Sequence, residues 1–224
     1  MRTFFTILLC LGLVAAASAD VKIVQQIKSS PMMGQPAKDT TVTMMVKGHK
    51  ARVDTGEHTY QIIDIDAGKV FIVDSKNKKV GVMTTAMMKQ AAGMMGAMGG
   101  QQGKPKIEKL GTTHTYNGYK CEDVRVTMSG VMSLNSVSCV SKDLDMKEFE
   151  AFKDFGADFT KAFGVDVAKE VPGYAVHSES KISVMGQNID STTDLISITR
   201  EPVDASLLVI PADYKVEEMK MPTK

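Results

Sequence analysis

Tryptophan is absent from the 224-residue chain, and aromatic residues make up only 6% of it. Aliphatic and methionine side chains must therefore supply most of any core. Long apolar runs are scarce as well. The one from Phe4 to Ala16 follows the basic Arg2 and leads into Ala17-Ser18-Ala19; it is too short for a membrane span and fits a secretory signal peptide over residues 1–19, cut after Ala19. Cys10 follows Leu9 rather than a small residue, so no lipid anchor is expected. The expected product is one soluble domain, residues 20–224, periplasmic or secreted and without a transmembrane anchor.

No sign of charge dominates. Cleavage would remove Arg2 from the 27 basic residues and nothing from the 26 acidic ones, leaving a net charge of zero. That balance gives no electrostatic basis for binding nucleic acid or an anionic surface. Catalytic signatures are missing too. His49, His58, His114 and His177 are dispersed without metal-ligand spacing, and there is neither a nucleophile elbow nor a phosphate-binding glycine loop. Asp64, Asp66, Asp74, Asp190 and Asp194 sit at turns or alternate along strand-like runs, while Asp54 and Glu57 flank a Thr55-Gly56 hairpin end. The expectation is a protein that is not an enzyme and carries no cofactor.

Cysteine is nearly absent from the mature chain. Only Cys121 and Cys139 survive cleavage, without C-x-x-C spacing, in an exported setting that permits oxidation. A hairpin turning near Gly130 would place them opposite one another and allow a disulfide; a turn at Leu134-Asn135-Ser136 would separate them.

What the chain does have is strand. VKIVQQIKSS, TTVTMMVKG, HKARVDTG, HTYQIIDIDAG, KVFIVDSKN and KKVGVMT follow one another with short turns between, which reads as an antiparallel meander. Val70-Phe71-Ile72-Val73 is apolar on both faces, so the sheet should be covered on more than one side there. Strands resume after residues 99–106 with the cysteine hairpin and return in the final third. With two interposed helical segments, the chain reads as α+β with a mostly antiparallel sheet of about ten strands.

The helical segments hold the candidate sites. In the first, Met83, Met87, Ala91, Met94 and Met98 line one stripe, flanked by Met88 and Met95. Thioethers suit Cu(I), which would make Met87, Met88, Met94 and Met95 ligands; plain packing on a sheet is the competing account, and the segment has no histidine or cysteine. Gly93, Gly96, Gly99 and Gly100 would favour fraying at its end. The second segment repeats Met146, Phe149, Phe152, Phe155, Phe159 and Phe163 at helical spacing, with Asp145 and Glu148 as a capping box and Gly164 as the stop. Such a stripe serves equally as a core face or a ligand-cavity wall.

Thr115-Tyr116-Asn117-Gly118-Tyr119-Lys120-Cys121 and the run from Asp204 to Tyr214 resemble the bacterial domain-of-unknown-function 4412 family. Ile62-Ile63-Asp64 and Val70 to Asp74 are similar to its amino-terminal half. The resemblance implies no established activity. It does imply an architecture similar to the periplasmic lipoprotein-carrier fold, a strongly curved antiparallel sheet with helices in its concave side. Met87, Met94, Met98, Phe149, Phe152, Phe155, Phe159 and Phe163 would then line a hollow suited to a lipid or other apolar molecule. Soft-metal binding and a structural envelope-interaction module are the alternatives.

Overall fold

The computed structural model describes residues 20–31, 36–98, 105–130, 132–152, 155, 170–184 and 187–219, with backbone only at 92, 94–98, 132 and 184. The proposed signal peptide lies outside these residues. Six strands run in sequence: β1 (Val21–Ser29), β2 (Lys38–Lys47), β3 (Lys50–Asp54), β4 (Thr59–Asp64), β5 (Lys69–Asp74) and β6 (Lys79–Thr84). Helix α1 (Thr85–Met98) follows, and the Thr84 hydroxyl accepts from the Met87 amide at its start. A second series comprises β7 (Lys106–Tyr116), β8 (Tyr119–Met128), β9 (Met132–Ser141), β10 (Tyr174–Val184) and β11 (Gln187–Thr199). The short β12 (Lys215–Glu218) ends it.

The described strands make one open sheet in the order β12-β6-β5-β4-β3-β2-β1-β11-β10-β9-β8-β7. Two meanders are therefore joined back to back by the β1–β11 pair. This corrects the expected count of about ten strands to twelve, and makes the sheet mixed, because β12 runs parallel to β6. A parallel neighbour needs a crossover. Residues 200–214 supply it, and nothing in a four-residue exposed strand announces which edge it will join.

Register explains the packing. Val21, Val46, Ala51, Ile63, Val70 and Met83 are successive cross-strand partners, so one apolar row spans β1–β6 on the face termed inner here. Ile23, Val46, Ala51, Val176 and Leu195 belong to one buried cluster, against which Met146, Phe149 and Phe152 pack. The opposite face of the same half is also apolar: Tyr60, Ile62, Val73 and Val80 are buried there with Ile210 and Tyr214 against them, and Met45 with Val203 and Leu208. Coverage of this second face is thus met by a carboxy-terminal strap. Its clasps occur in chain order. The Asp20 carboxylate accepts from the Val203 amide (2.8 Å) and from Lys47 (2.6 Å); Arg52 donates to the Leu207 carbonyl (3.1 Å); and Lys78 pairs with Asp213 (2.7 Å).

The phenylalanine segment departs from expectation. A 3-10 turn spans Lys147–Phe152, with the Phe149 amide bonded to the Met146 carbonyl at 3.0 Å. No capping box forms, because Arg200 takes the Glu148 carboxylate (2.6 Å) and the Asp145 carbonyl (2.7 Å). A capping box needs that carboxylate at the backbone, and a guanidinium beside it is the stronger partner. Gly164 lies outside the described residues.

Candidate functional site

Cys121 and Cys139 form the expected disulfide, Cα to Cα 5.2 Å, across a turn that includes Gly130. Register is offset by two residues from the symmetric hairpin: Cys139 stands opposite Asp123, so the bridge runs diagonally. Four strands then carry one polar row, Asp194, His177, Cys139 and Asp123. His177 donates through Nδ1 to Asp194 (2.7 Å), and His114 donates through Nε2 to Asp123 (2.8 Å), which also accepts from the Thr112 hydroxyl (2.6 Å). Nε2 of His177 faces Glu179 at 3.7 Å, so this histidine sits between carboxylates and not beside a nucleophile.

The hairpin tip Tyr116-Asn117-Gly118-Tyr119 closes over this row. Asn117 and Gly118 both have positive φ, 48° and 84°, the backbone of a two-residue hairpin turn that favours Asn-Gly. Tyr116 stacks on His177, ring centroids 4.3 Å apart, and the Asn117 side-chain amide donates to the carbonyl of Leu195. That carbonyl lies at the β11 bulge, where Leu195 is buried and Ile196 turns outward, 51% exposed. Asn117 therefore ties the tip of β7–β8 to a strand three places away, and satisfies a group at an irregularity of the ladder.

The two faces of β8–β11 differ sharply. On the outer face, Lys28, Thr192, Glu179, Val137, Arg125 and Glu108 are successive partners. A groove of about 560 Å³ follows these charges, where Lys28 stands opposite Asp39 and Lys181 opposite Asp190. On the inner face, one row reads Ile27, Thr193, Ser178, Ser138, Val124; the next Ser191, Ser180, Ser136, Val126; the third Ile189, Ile182, Leu134, Met128. Two hydroxyl rows thus lie beside an aliphatic one. Ser136 and Ser180 hydroxyls meet at 2.8 Å, and Ser178 donates to Ser138 at 2.8 Å. Most of these side chains are half-buried, with Val124 and Met128 fully so. At the end of these strands a cavity of about 480 Å³ is bordered by Met128, Leu134 and Ile182 of the aliphatic row and by Asn135, Lys181, Ser183 and Asp190, which the register places on the charged face, so it opens across both faces.

The sequence-predicted lining residues divide into three sets. Phe149 and Phe152 pack on the buried cluster with their rings 6.4 Å apart, and Phe155 is half-buried. Met87 is half-buried on α1, beside Met88 of the copper alternative. The side chains of Met94, Met95 and Met98, and residues Phe159 and Phe163 altogether, lie outside the described set. Among the described residues no helix is long and apolar enough to cross a membrane. The serine rows of β9–β11 escaped the sequence reading. The available signal was the alternation in Ser133-Leu-Asn-Ser-Val-Ser-Cys and Val176-His-Ser-Glu-Ser-Lys-Ile, which puts hydroxyls and charges on opposite faces once register is known.

No curated protein sequence matches the chain significantly. Among solved structures, PNGF-II is 11% identical with a TM-score of 0.41; the alignment covers 90% of this chain but 31% of that one, so this chain spans about a third of its length. A DUF1329 family protein from Desulfovibrio piger is 8% identical, TM-score 0.35, over 87% of this chain and 91% of that one. A LolA superfamily protein from Nitrosomonas europaea is 6% identical, TM-score 0.33, over 85% and 90%. The family described as Domain of unknown function (DUF4412) matches residues 28–214, and the chain belongs to that family.

Proposed function

We propose that this is an exported, non-catalytic protein that holds an apolar ligand against the inner face of β8–β11, beneath the segments that carry Met87 and Phe149, Phe152 and Phe155. One observation carries the reading: three adjacent inner rows of this half, from Ile27 to Val124, Ser191 to Val126 and Ile189 to Met128, are uncharged and mostly half-buried, yet two of them are built largely from serine and threonine where a closed core would place branched aliphatics. Small side chains leave volume. The cavity of about 480 Å³ that the aliphatic row borders at its end, shared with the charged face, falls in the usual range for small-molecule sites, about 300–1,000 Å³.

Connectivity supports a bent sheet. β6 and β7 stand ten positions apart in the strand order, a span of about 48 Å if flat at about 4.8 Å per strand. The chain between them offers a 14-residue helix of about 21 Å. The eight steps from Met98 to Lys106 add at most about 27–29 Å at about 3.4–3.6 Å each. The sum only just reaches the flat span, so a modest bend that brings the edges nearer would relieve the connection.

Native mass spectrometry of protein purified gently from its exporting host, together with uptake of the neutral fluorophore N-phenyl-1-naphthylamine, tests the reading. Retained ligand mass or saturable uptake is expected; bare polypeptide mass with no uptake contradicts it.

A further inference from the structure

We infer that the ligand is a neutral ester lipid of the acylglycerol kind, not a free fatty acid or a phospholipid; the inference rests on the apolar-ligand reading of the same face. The first ground is what the three inner rows lack. From Ile27 across to Val124, from Ser191 to Val126 and from Ile189 to Met128, no side chain carries a charge. The first cation reached along the Val124 row is Lys109, exposed on edge strand β7, while Lys181 and Asp190, which line the end cavity, belong to the opposite face as cross-strand partners of each other. A carboxylate or phosphate laid on these rows would lose its hydration without a counter-charge, which strongly disfavours it.

The second ground is what the rows offer. Each serine pair, Ser136 with Ser180 and Ser178 with Ser138, spends one O–H in bonding its partner and leaves the other O–H free to donate. Ser178 and Ser180 are two residues apart on one strand, so the two free donors lie about 7 Å apart along it. They are flanked by Ile189, Ile182, Leu134 and Met128 on one side and by Val176 and Leu195 on the other. A polar band two donors deep between aliphatic bands matches a molecule with ester carbonyls between hydrocarbon segments. Neutral carbonyl oxygens accept from hydroxyls and need no counter-ion.

Competition against bound N-phenyl-1-naphthylamine separates the possibilities, using the chain from residue 20 onward with its disulfide intact. Mono-olein is expected to displace the probe at least tenfold more effectively than oleate or a phosphatidylglycerol of the same chain length. In the double variant Ser136→Val with Ser180→Val, and separately in Ser138→Val with Ser178→Val, the preference for mono-olein should fall about threefold to tenfold, the worth of one neutral hydrogen bond. Probe uptake itself should persist. Valine suits a strand and replaces both members of a pair, so folding is preserved, and persistent uptake by each variant reports that directly. Equal displacement by oleate, or a mono-olein preference unchanged in both variants, overturns the inference while leaving an apolar binder. Failure of the wild-type protein to take up any probe overturns the parent reading and the inference together.

Discussion

In β1–β6, aliphatic side chains project from both faces, and each face is covered over much of its extent: one by the cluster that includes Phe149 and Phe152, the other by the strap from Val203 to Tyr214. In β8–β11 one face is charged and the other mixes hydroxyls with aliphatics at half burial. The same antiparallel ladder thus does two things. Where both faces are apolar the sheet must be covered and acts as scaffold; where one face is charged it is free to remain in water, and the other can present a surface.

The contrast predicts unequal sensitivity to truncation. Ile62→Ala, in the sealed half, should cost about 3 kcal/mol in chemical denaturation, whereas Ile182→Ala, beside the cavity, should cost about 1 kcal/mol, since little packing is lost where side chains already border open volume. Equal losses would erase the distinction between the halves. Removing the bridge with the double change Cys121→Ser and Cys139→Ser should cost about 3 kcal/mol for its 18-residue separation. Amide exchange should then accelerate in β7–β9 and stay slow in β3–β5; uniform acceleration would mean the halves unfold as one unit.

The scaffold half was the more legible in the sequence. Alternation, turn residues and doubly apolar runs such as Val70-Phe71-Ile72-Val73 gave the six-strand meander and its two-sided covering, because these are local properties. α1 and the disulfide were legible for the same reason. The diagonal register of Cys121 against Cys139, the parallel β12 and the diversion of Glu148 to Arg200 were not. Each depends on which distant strand or side chain arrives, as does the assembly of Ser136, Ser138, Ser178 and Ser180 into one patch. The Tyr116-Asn117-Gly118-Tyr119 motif was recognised before its role could be stated, since its partners, His177 and Leu195, are distant in sequence.

The strap permits two smaller tests. Arg52 stacks over the Tyr60 ring, 3.7 Å from its centroid, while donating to the Leu207 carbonyl. Arg52→Ala should therefore loosen residues 203–214 and cost about 1–2 kcal/mol, with faster exchange of strap amides and unchanged exchange in β9–β10; the opposite distribution would deny the strap its part in sealing the scaffold. Burial pushes the Tyr60 hydroxyl above its ordinary pKa, partly offset by the Arg52 charge.

Acid should act on the strap more gently. The Lys78 ammonium, by hydrogen bond and charge, holds Asp213 below the 3.8 of an ordinary aspartate, and the Ser206 backbone amide does the same for Asp204. Both carboxylates are depressed in the folded state, so their contribution is complete above pH 3.8 and fades as pH falls through the lower folded values. NMR titration should show the Asp204 and Asp213 resonances of the strap moving only as pH falls below 3.8. In Lys78→Met the Asp213 titration should shift upward; no shift would remove this clasp from the account.

The most direct test is amide and methyl NMR of the chain from residue 20 onward titrated with N-phenyl-1-naphthylamine. Perturbations should concentrate at Leu134, Ser136, Ser178, Ser180, Ile182 and Ile189. No perturbation, or perturbation confined to β3–β6 and the strap, would contradict a ligand-bearing second half.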